Sequence, residues 1–193
     1  MSKAVLISIQ PNWCQLIANG KKTVEVRKSR PKLEMPFKCY IYCTKGKSSK
    51  DDTFNVVGYN DGENIYDYRI NGKVFGEFVC DGIISHCEMA NADIAEQQGR
   101  ISREKLAEYS DGKELFGWHI SDLKVYDEPK DLTDFFVEGE CYPSRCSKCK
   151  YFDKGNGYNV EDDCLLPHHL NDDGNDIKPL FKAPQSWCYV EEV

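Results

Sequence analysis

Pro11 and Gly20 bracket a short segment in which Trp13, Leu16 and Ile17 recur at helical spacing, and a β-branched run lies on either side of it. Proline suits the first turn of a helix because its missing amide hydrogen has no partner there in any case. Glycine after Asn19 suits the far end, where the chain must turn sharply. The segment therefore reads as a helix over Pro11 to Asn19, between a strand at Val5 to Ile9 and a second strand at Thr23 to Arg27. A strand, a helix and a strand within 25 residues exclude an all-helical protein and demand a sheet for the helix to pack on.

The second strand is unusual for its charge. Val24 and Val26 fall on one face at period two and point to the core, which leaves Thr23, Glu25 and Arg27 on the other, directly after Lys21 and Lys22. The surroundings are basic: of 25 Lys and Arg in the chain, 11 lie in residues 1–50 against two acids, Glu25 and Glu34, whereas the net charge of the whole is −7. Such segregation fits an anionic ligand or nucleic acid at the basic end, or a solvated loop around Lys45, Lys47 and Lys50. The acidic remainder argues against a general nucleic-acid coat.

Further along, Phe37 to Thr44 reads as a third strand and Lys45 to Asn71 as a long surface excursion with a hairpin around Asn71-Gly72. Lys73 to Cys80 is a strand that continues toward Ile84 after the Asp81-Gly82 turn. Ser102 caps a helix that runs to about Tyr109, with Leu106 and Tyr109 facing inward and Asp111-Gly112 ending it. Phe116 to Tyr126 is one more strand, bulged at Gly117 or Ser121. Strands dominate, so the fold class is α+β, a small mixed β-barrel with flanking short helices. Residues 1–128 form this domain. Residues 129–193 form a loop-rich, cysteine-containing extension whose last strand, 186–190, returns to the core.

The apolar run Ala4 to Ile7 is too short for a secretory leader and no stretch approaches a membrane span, so a cytoplasmic protein without membrane partners is expected. In that reducing setting the ten cysteines are free thiols or metal ligands rather than a disulfide framework. Cys14, Cys39, Cys43, Cys80 and Cys188 lie in apolar patterns and read as buried small hydrophobes. Cys141, Cys146, Cys149 and Cys164 have the spacing of a four-sulfur zinc site, with His168 and His169 as alternative fourth ligands and unliganded thiols as the rival reading. A structural zinc there would explain how a segment without an apolar core folds.

The pattern Ile7-Ser-Ile-Gln-Pro11, Trp13, Ile17, Gly20-Lys-Lys-Thr-Val-Glu-Val-Arg27, then Gly76-Glu-Phe-Val and Phe116-Gly-Trp-His-Ile120, resembles the ASCH domain of the PUA-like superfamily over roughly residues 4–126. The ending Gln185 to Val190 is similar to longer, uncharacterised forms from bacteria and their prophages. The resemblance implies a β-barrel with a cleft for RNA or a modified nucleoside, with Lys22, Thr23, Glu25 and Arg27 as ligand-binding residues. Some small relatives hydrolyse N4-acetylcytidine with a lysine and a threonine nucleophile. Lys22, Thr23 and Arg27 match that pattern, but the nucleophile position falls on Glu25, and a carboxylate cannot replace a hydroxyl in attack on an amide.

Lys22 and Glu25 are thus the catalytic candidates only for a different chemistry, in which Glu25 activates water and Lys22 stabilises an oxyanion. Glu88, Glu96 and Glu104 are candidates for the family's further acid, and His119 is either a cleft residue or a structural one. For binding, Arg27 offers a planar donor fork, Lys22 a mobile charge and Glu25 an acceptor for an exocyclic amine, with Trp13 or Trp118 as a stacking face. Recognition is the leading expectation. Hydrolysis of a modified cytidine, ribonuclease action, and protein interaction through the acidic extension are its alternatives.

Overall fold

The computed structural model describes residues 2–45, 56–60, 65–89, 93–139 and 170–193. Its frame is a five-stranded sheet that contains β1 (Lys3–Ile9), β3 (Phe37–Cys43), β6 (Val74–Cys80), β9 (Ser121–Lys130) and β12 (Trp187–Glu191), in the order β12-β1-β3-β6-β9. Strands β1 and β3 are parallel and the other pairings antiparallel. The parallel pair needs a crossover, which α1 (Pro11–Ala18) and β2 (Val24–Arg27) supply.

Both faces of this sheet are apolar, and period two sorts them. Val5, Ile7 and Ile9 with Cys39, Ile41 and Cys43 meet Cys14 and Ile17 of α1 and the indole of Trp118. On the opposite face Ala4, Leu6, Tyr40 and Tyr42 meet Val74, Tyr126, Phe135 and Val190. Burial accounts for the thiols: it pushes Cys14 and Cys39 well above the ordinary cysteine value, and Cys80 up to about 11. Cys188 is half-buried rather than sealed, since it sits on an edge strand.

A second, three-stranded sheet runs β2-β8-β7, with β7 at Ile83–Ile84 and β8 at Phe116–His119. Val24 and Val26 form a third apolar cluster with Ala95, Leu106 and Leu115, beneath α3 (Arg103–Ser110) and a π-helical turn at Asp93–Gln98. Ser102 caps α3 through the Lys105 amide, and Asp111 ends it in the left-handed region at φ 49°. Leu106 is buried as expected, while Tyr109 lies at the surface with 37% exposure. A four-residue helix, α2 (His86–Met89), precedes the π-helical turn.

Three expectations change. The strands form open sheets rather than a closed barrel among the described residues, because β12 and β9 stand at the two ends of the larger sheet. The single strand Phe116 to Tyr126 is two strands: after β8, the Ile120 amide turns to the Thr23 carbonyl (2.8 Å), and β9 then joins β6. The hairpin lies one strand earlier than Asn71-Gly72, as β4 (Val56–Asn60) with β5 (Ile65–Arg69). Asn71-Gly72 instead closes the end of the β3–β6 ladder, with the Gly72 amide on the Cys43 carbonyl at 2.8 Å.

In the C-terminal part, β10 (Phe136–Glu138) pairs with β11 (Ile177–Pro179), and β12 lies antiparallel to β1. Cys141, Cys146, Cys149, Cys164, His168 and His169 fall outside the described residues. Among the described residues no group of three or more His, Cys, Asp or Glu is placed to hold a metal ion, and no helix is long and apolar enough to cross a membrane.

Candidate functional site

The route from α1 into β2 builds the site. Helix α1 starts at Pro11 after Gln10, which gives it no side-chain cap; at its far end Asn19 Nδ2 donates to the Gln15 carbonyl at 2.9 Å, and the chain that follows satisfies the Leu16 carbonyl. Gly20 adopts φ 64°, which only glycine takes without strain. The amides of Lys21 and Lys22 then both donate to the Leu16 carbonyl, at 2.8 and 3.0 Å. From the other side, the segment after the π-helical turn holds the same stretch: Thr23 N donates to the Gln98 carbonyl (3.0 Å), and Arg100 Nε to the Lys21 carbonyl (2.5 Å). A π-helical turn beside a binding site is a recurrent association.

Strand β2 is buried on both faces, which the sequence does not reveal. Its valines enter the third cluster, and its odd-numbered polar residues turn the other way, toward β1 and the start of β12. Lys22, Glu25 and Arg27 are only 4%, 6% and 8% exposed. Arg27 Nη2 lies 3.0 Å from Glu25 Oε1 and donates to the Ser8 carbonyl at 2.7 Å, while Nη1 reaches Ser186 Oγ at 3.4 Å. Lys22 Nζ donates to the Gly99 carbonyl at 2.6 Å, stands 3.4 Å from Glu25 Oε2, and lies 5.0 Å from the centre of the Trp13 ring.

These three side chains line a cavity of ≈ 380 Å³ that Trp13, Tyr109, Gln10 and Ser186 help to wall. That volume lies within the range of small-molecule sites. The triad carries two positive charges and one negative, so the cavity is cationic on balance. Burial pushes Lys22 below the ordinary lysine value; Glu25 opposes that shift and Arg27 adds to it. Burial also raises the Tyr109 hydroxyl's pKa. Two buried atoms of the triad, Arg27 Nε and Glu25 Oε2, make no hydrogen bond with another described residue. Oε2 has the ion-pair contact with Lys22 but not hydrogen-bond geometry. A donor and an acceptor left open in a buried site are costly unless a ligand or water completes them.

The sequence candidates separate cleanly. Lys22, Glu25, Arg27 and Trp13 line the cavity. Thr23 does not; its amide and carbonyl anchor the backbone to Gln98 and Ile120. Trp118, directly opposite Glu25 in the β2–β8 ladder, is fully buried and packs edge-on against Phe37 and Trp187 at 6.0 and 5.8 Å, so it cannot stack on a ligand. His119 points away and pairs with Asp81 at 2.6 Å. Glu88, Glu96 and Glu104 are exposed and none lines the cavity. Among the described residues, Glu25 is therefore the carboxylate in the cavity wall.

Sequence reasoning missed Tyr109 and Ser186. Tyr109 reads as a core residue at helical spacing with Leu106, although it stands at the cavity rim. Ser186 lies 159 positions from Arg27, and its only sequence signal is the Gln-Ser-Trp-Cys-Tyr-Val ending.

The family model for the ASCH domain matches residues 7–151. Among solved structures, the crystal structure of ASCH from Zymomonas mobilis is 18% identical, with a TM-score of 0.48 over 67% of this chain and 73% of that one. A mutant of the same Zymomonas mobilis protein is 19% identical, with a TM-score of 0.46 over 68% and 77%. No curated protein matches the chain.

Proposed function

We propose, from the premise that this chain belongs to the ASCH domain family, that it recognises RNA or a modified nucleoside in the cavity formed by Lys22, Glu25 and Arg27. The family is generally linked to RNA binding. One observation carries the reading: three charged side chains, each more than nine-tenths buried, converge on one cavity that also has an aromatic wall. A merely structural ion pair has no need of an accessible ≈ 380 Å³ space beside it.

The chemistry suits a base. Trp13 and Tyr109 supply flat apolar surface for stacking, which is worth about 1–3 kcal/mol per base. Glu25 Oε2 accepts from an exocyclic amine or ring N–H, and Arg27 Nε donates to a carbonyl or ring nitrogen. The surplus positive charge favours a ligand with an attached phosphate. Thr23 fixes the strand rather than touching the ligand.

A second reading, hydrolysis, has one observation in its favour: burial moves Lys22 toward its neutral form, which is the state in which an amine takes up a proton. In that reading Glu25 holds the attacking water and Lys22 shuttles the proton.

The test is isothermal titration of the protein against nucleosides, modified cytidines and short RNAs, repeated with Trp13→Ala and Tyr109→Ala. Tyr109 is exposed at the cavity edge, so its variant is expected to keep its far-UV spectrum and melting profile, whereas Trp13 also packs against the core cluster that contains Ile17, so Trp13→Ala is expected to melt lower and is titrated at a temperature where its far-UV spectrum shows it folded. Affinity should fall roughly 5- to 150-fold in each, the equivalent of about 1–3 kcal/mol. Binding that is unchanged in both variants, or absent across the panel, overturns the assignment. Product release in the same mixtures would favour hydrolysis over recognition.

A further inference from the structure

Lys21 and Lys22 are neighbours in sequence with opposite settings. Lys21 is exposed, whereas Lys22 is 4% exposed and lines the ≈ 380 Å³ cavity. Beyond its own stem, the Lys22 amine has three tetrahedral directions, and two are taken: the Gly99 carbonyl accepts from Nζ at 2.6 Å, and Glu25 Oε2 stands 3.4 Å away. In its neutral form this amine keeps its two N–H groups for those partners and carries its lone pair in the third direction. A lone pair on a fixed amine in a cavity wall is a nucleophile held in place.

The surroundings favour that form. Burial is the main cause that lowers the Lys22 pKa, and Arg27 adds to it against the pull of Glu25. Desolvation and an adjacent cation are both recognised ways of activating a lysine toward carbonyl compounds. The wall supplies the other parts. Glu25 contacts Lys22 on one oxygen and Arg27 on the other, so a carboxylate able to relay protons stands beside the amine. Arg27 Nε is buried and makes no hydrogen bond with another described residue, which leaves a charged donor for an anionic group.

We propose that Lys22 forms an imine with a small aldehyde or ketone that carries a carboxylate, with Arg27 Nε holding the carboxylate and Glu25 relaying protons. Nζ adds to the carbonyl carbon, so a C–N bond forms and the carbonyl π pair moves to oxygen. The C–O bond of the resulting carbinolamine then breaks as the nitrogen lone pair closes the C=N bond. The two hydrogens of the amine leave on that oxygen as water, passed by way of Glu25, and no oxidant or reductant is consumed. This chemistry needs the amine, the carboxylate and the guanidinium, and it does not depend on the nucleoside reading of the cavity.

The test is reductive trapping on the full wild-type chain, which makes it independent of whether a Lys22 variant folds. The protein is incubated at neutral pH with cyanoborohydride and either glyoxylate, an aldehyde with a carboxylate, or acetaldehyde, which has none, and the alkylated lysines are located by peptide mass mapping. Lys22 should label ahead of Lys21 with glyoxylate. The Lys22-to-Lys21 ratio, in which the intrinsic reactivity of each probe cancels, should be higher for glyoxylate than for acetaldehyde. Acetate, a carboxylate without a reactive carbonyl, should slow glyoxylate labelling at Lys22 and leave that at Lys21 unchanged. Label on Lys22 no greater than on Lys21, or an equal ratio for the two probes, overturns the proposal while leaving the nucleoside titration standing. A protein that binds no nucleoside but traps glyoxylate at Lys22 overturns the nucleoside reading alone.

Discussion

Two charged groupings stand on neighbouring rungs of the same ladder and have opposite environments. Glu25 pairs across β2–β8 with Trp118 and lies in a cluster less than one-tenth exposed, whereas Val24 pairs with His119, whose side chain and that of Asp81 are 41% and 45% exposed. Distances do not distinguish them: Arg27 to Glu25 is 3.0 Å and His119 to Asp81 is 2.6 Å. Burial does. In the triad each charge is largely withdrawn from solvent and depends on the other two, whereas the Asp81–His119 pair remains hydrated and is a surface contact.

The largest expected effect follows from removing the central carboxylate. Glu25→Ala leaves Lys22 and Arg27 buried side by side without a counter-charge and should lower unfolding free energy by about 3–5 kcal/mol in urea denaturation. Replacing all three together, as Lys22→Met/Glu25→Leu/Arg27→Met, removes the charges as well as their desolvation and should be close to neutral or stabilising. Ligand binding should vanish in the triple variant. A triple variant that is as unstable as Glu25→Ala would show that the triad holds the fold together rather than serving a ligand.

Arg27→Lys is the next step down. The guanidinium joins β2 to the Ser8 carbonyl of β1, to Glu25, and to Ser186 at the entrance of β12. A lysine keeps the charge but not the fork, so about 1.5–3 kcal/mol should be lost, the range for a hydrogen bond to a charged group. The same denaturation experiment reads it. A loss within experimental error would mean that charge alone, without geometry, holds the cavity.

The frame of this site was legible and its burial was not. Pro11, the Trp13-Leu16-Ile17 spacing and Gly20 marked α1, and alternation of Val24 and Val26 with Glu25 and Arg27 marked β2. Those signals are local, and they hold in the structure. Whether the polar face of β2 meets water depends on what crosses it, and that is set by Ser8, by Gly99 after the π-helical turn, and by Ser186 far along the chain. Period two assigns faces and does not say what covers them. Tyr109 illustrates the converse error: its spacing from Leu106 is right for an inward residue, yet α3 is short enough that its last turn reaches the rim of the cavity instead of the core. The split at Ile120 was equally hidden, because the sequence from Phe116 to Tyr126 is continuously strand-like while its hydrogen bonds pass from one sheet to another.

Lys22 sharpens the contrast through pH. Burial lowers its pKa in the folded protein, while in the unfolded chain it stays near 10.4. Between those two values the unfolded chain holds a proton that the folded one does not, so folding becomes more favourable as pH rises through that window. Below the folded pKa both states are charged and the slope vanishes. Wild type compared with Lys22→Met should therefore gain relative stability as pH climbs toward about 10.4, with Lys3 and Lys38 cancelling because both proteins contain them. Parallel curves would place Lys22 in water and dissolve the distinction between the two groupings.

The smallest effect belongs to the exposed pair. The hydrogen bond with His119 holds Asp81 below the usual carboxylate range, a shift that solvent screening makes worth little at this exposure. Asp81→Asn should cost about 0–1 kcal/mol at neutral pH. Because the folded pKa is depressed, whatever Asp81 contributes is present above the unfolded value near 3.9 and disappears as pH falls through the folded one. The two proteins' stabilities should thus converge in acid and separate by a small margin as pH rises through the Asp81 titration. Nucleoside binding should be untouched at every pH where both are folded, since His119 and Asp81 do not line the cavity. A binding defect in Asp81→Asn would mean that the outward rung of the ladder communicates with the inward one, through the shared β8 backbone between Trp118 and His119, and the two environments would have to be treated as a single site.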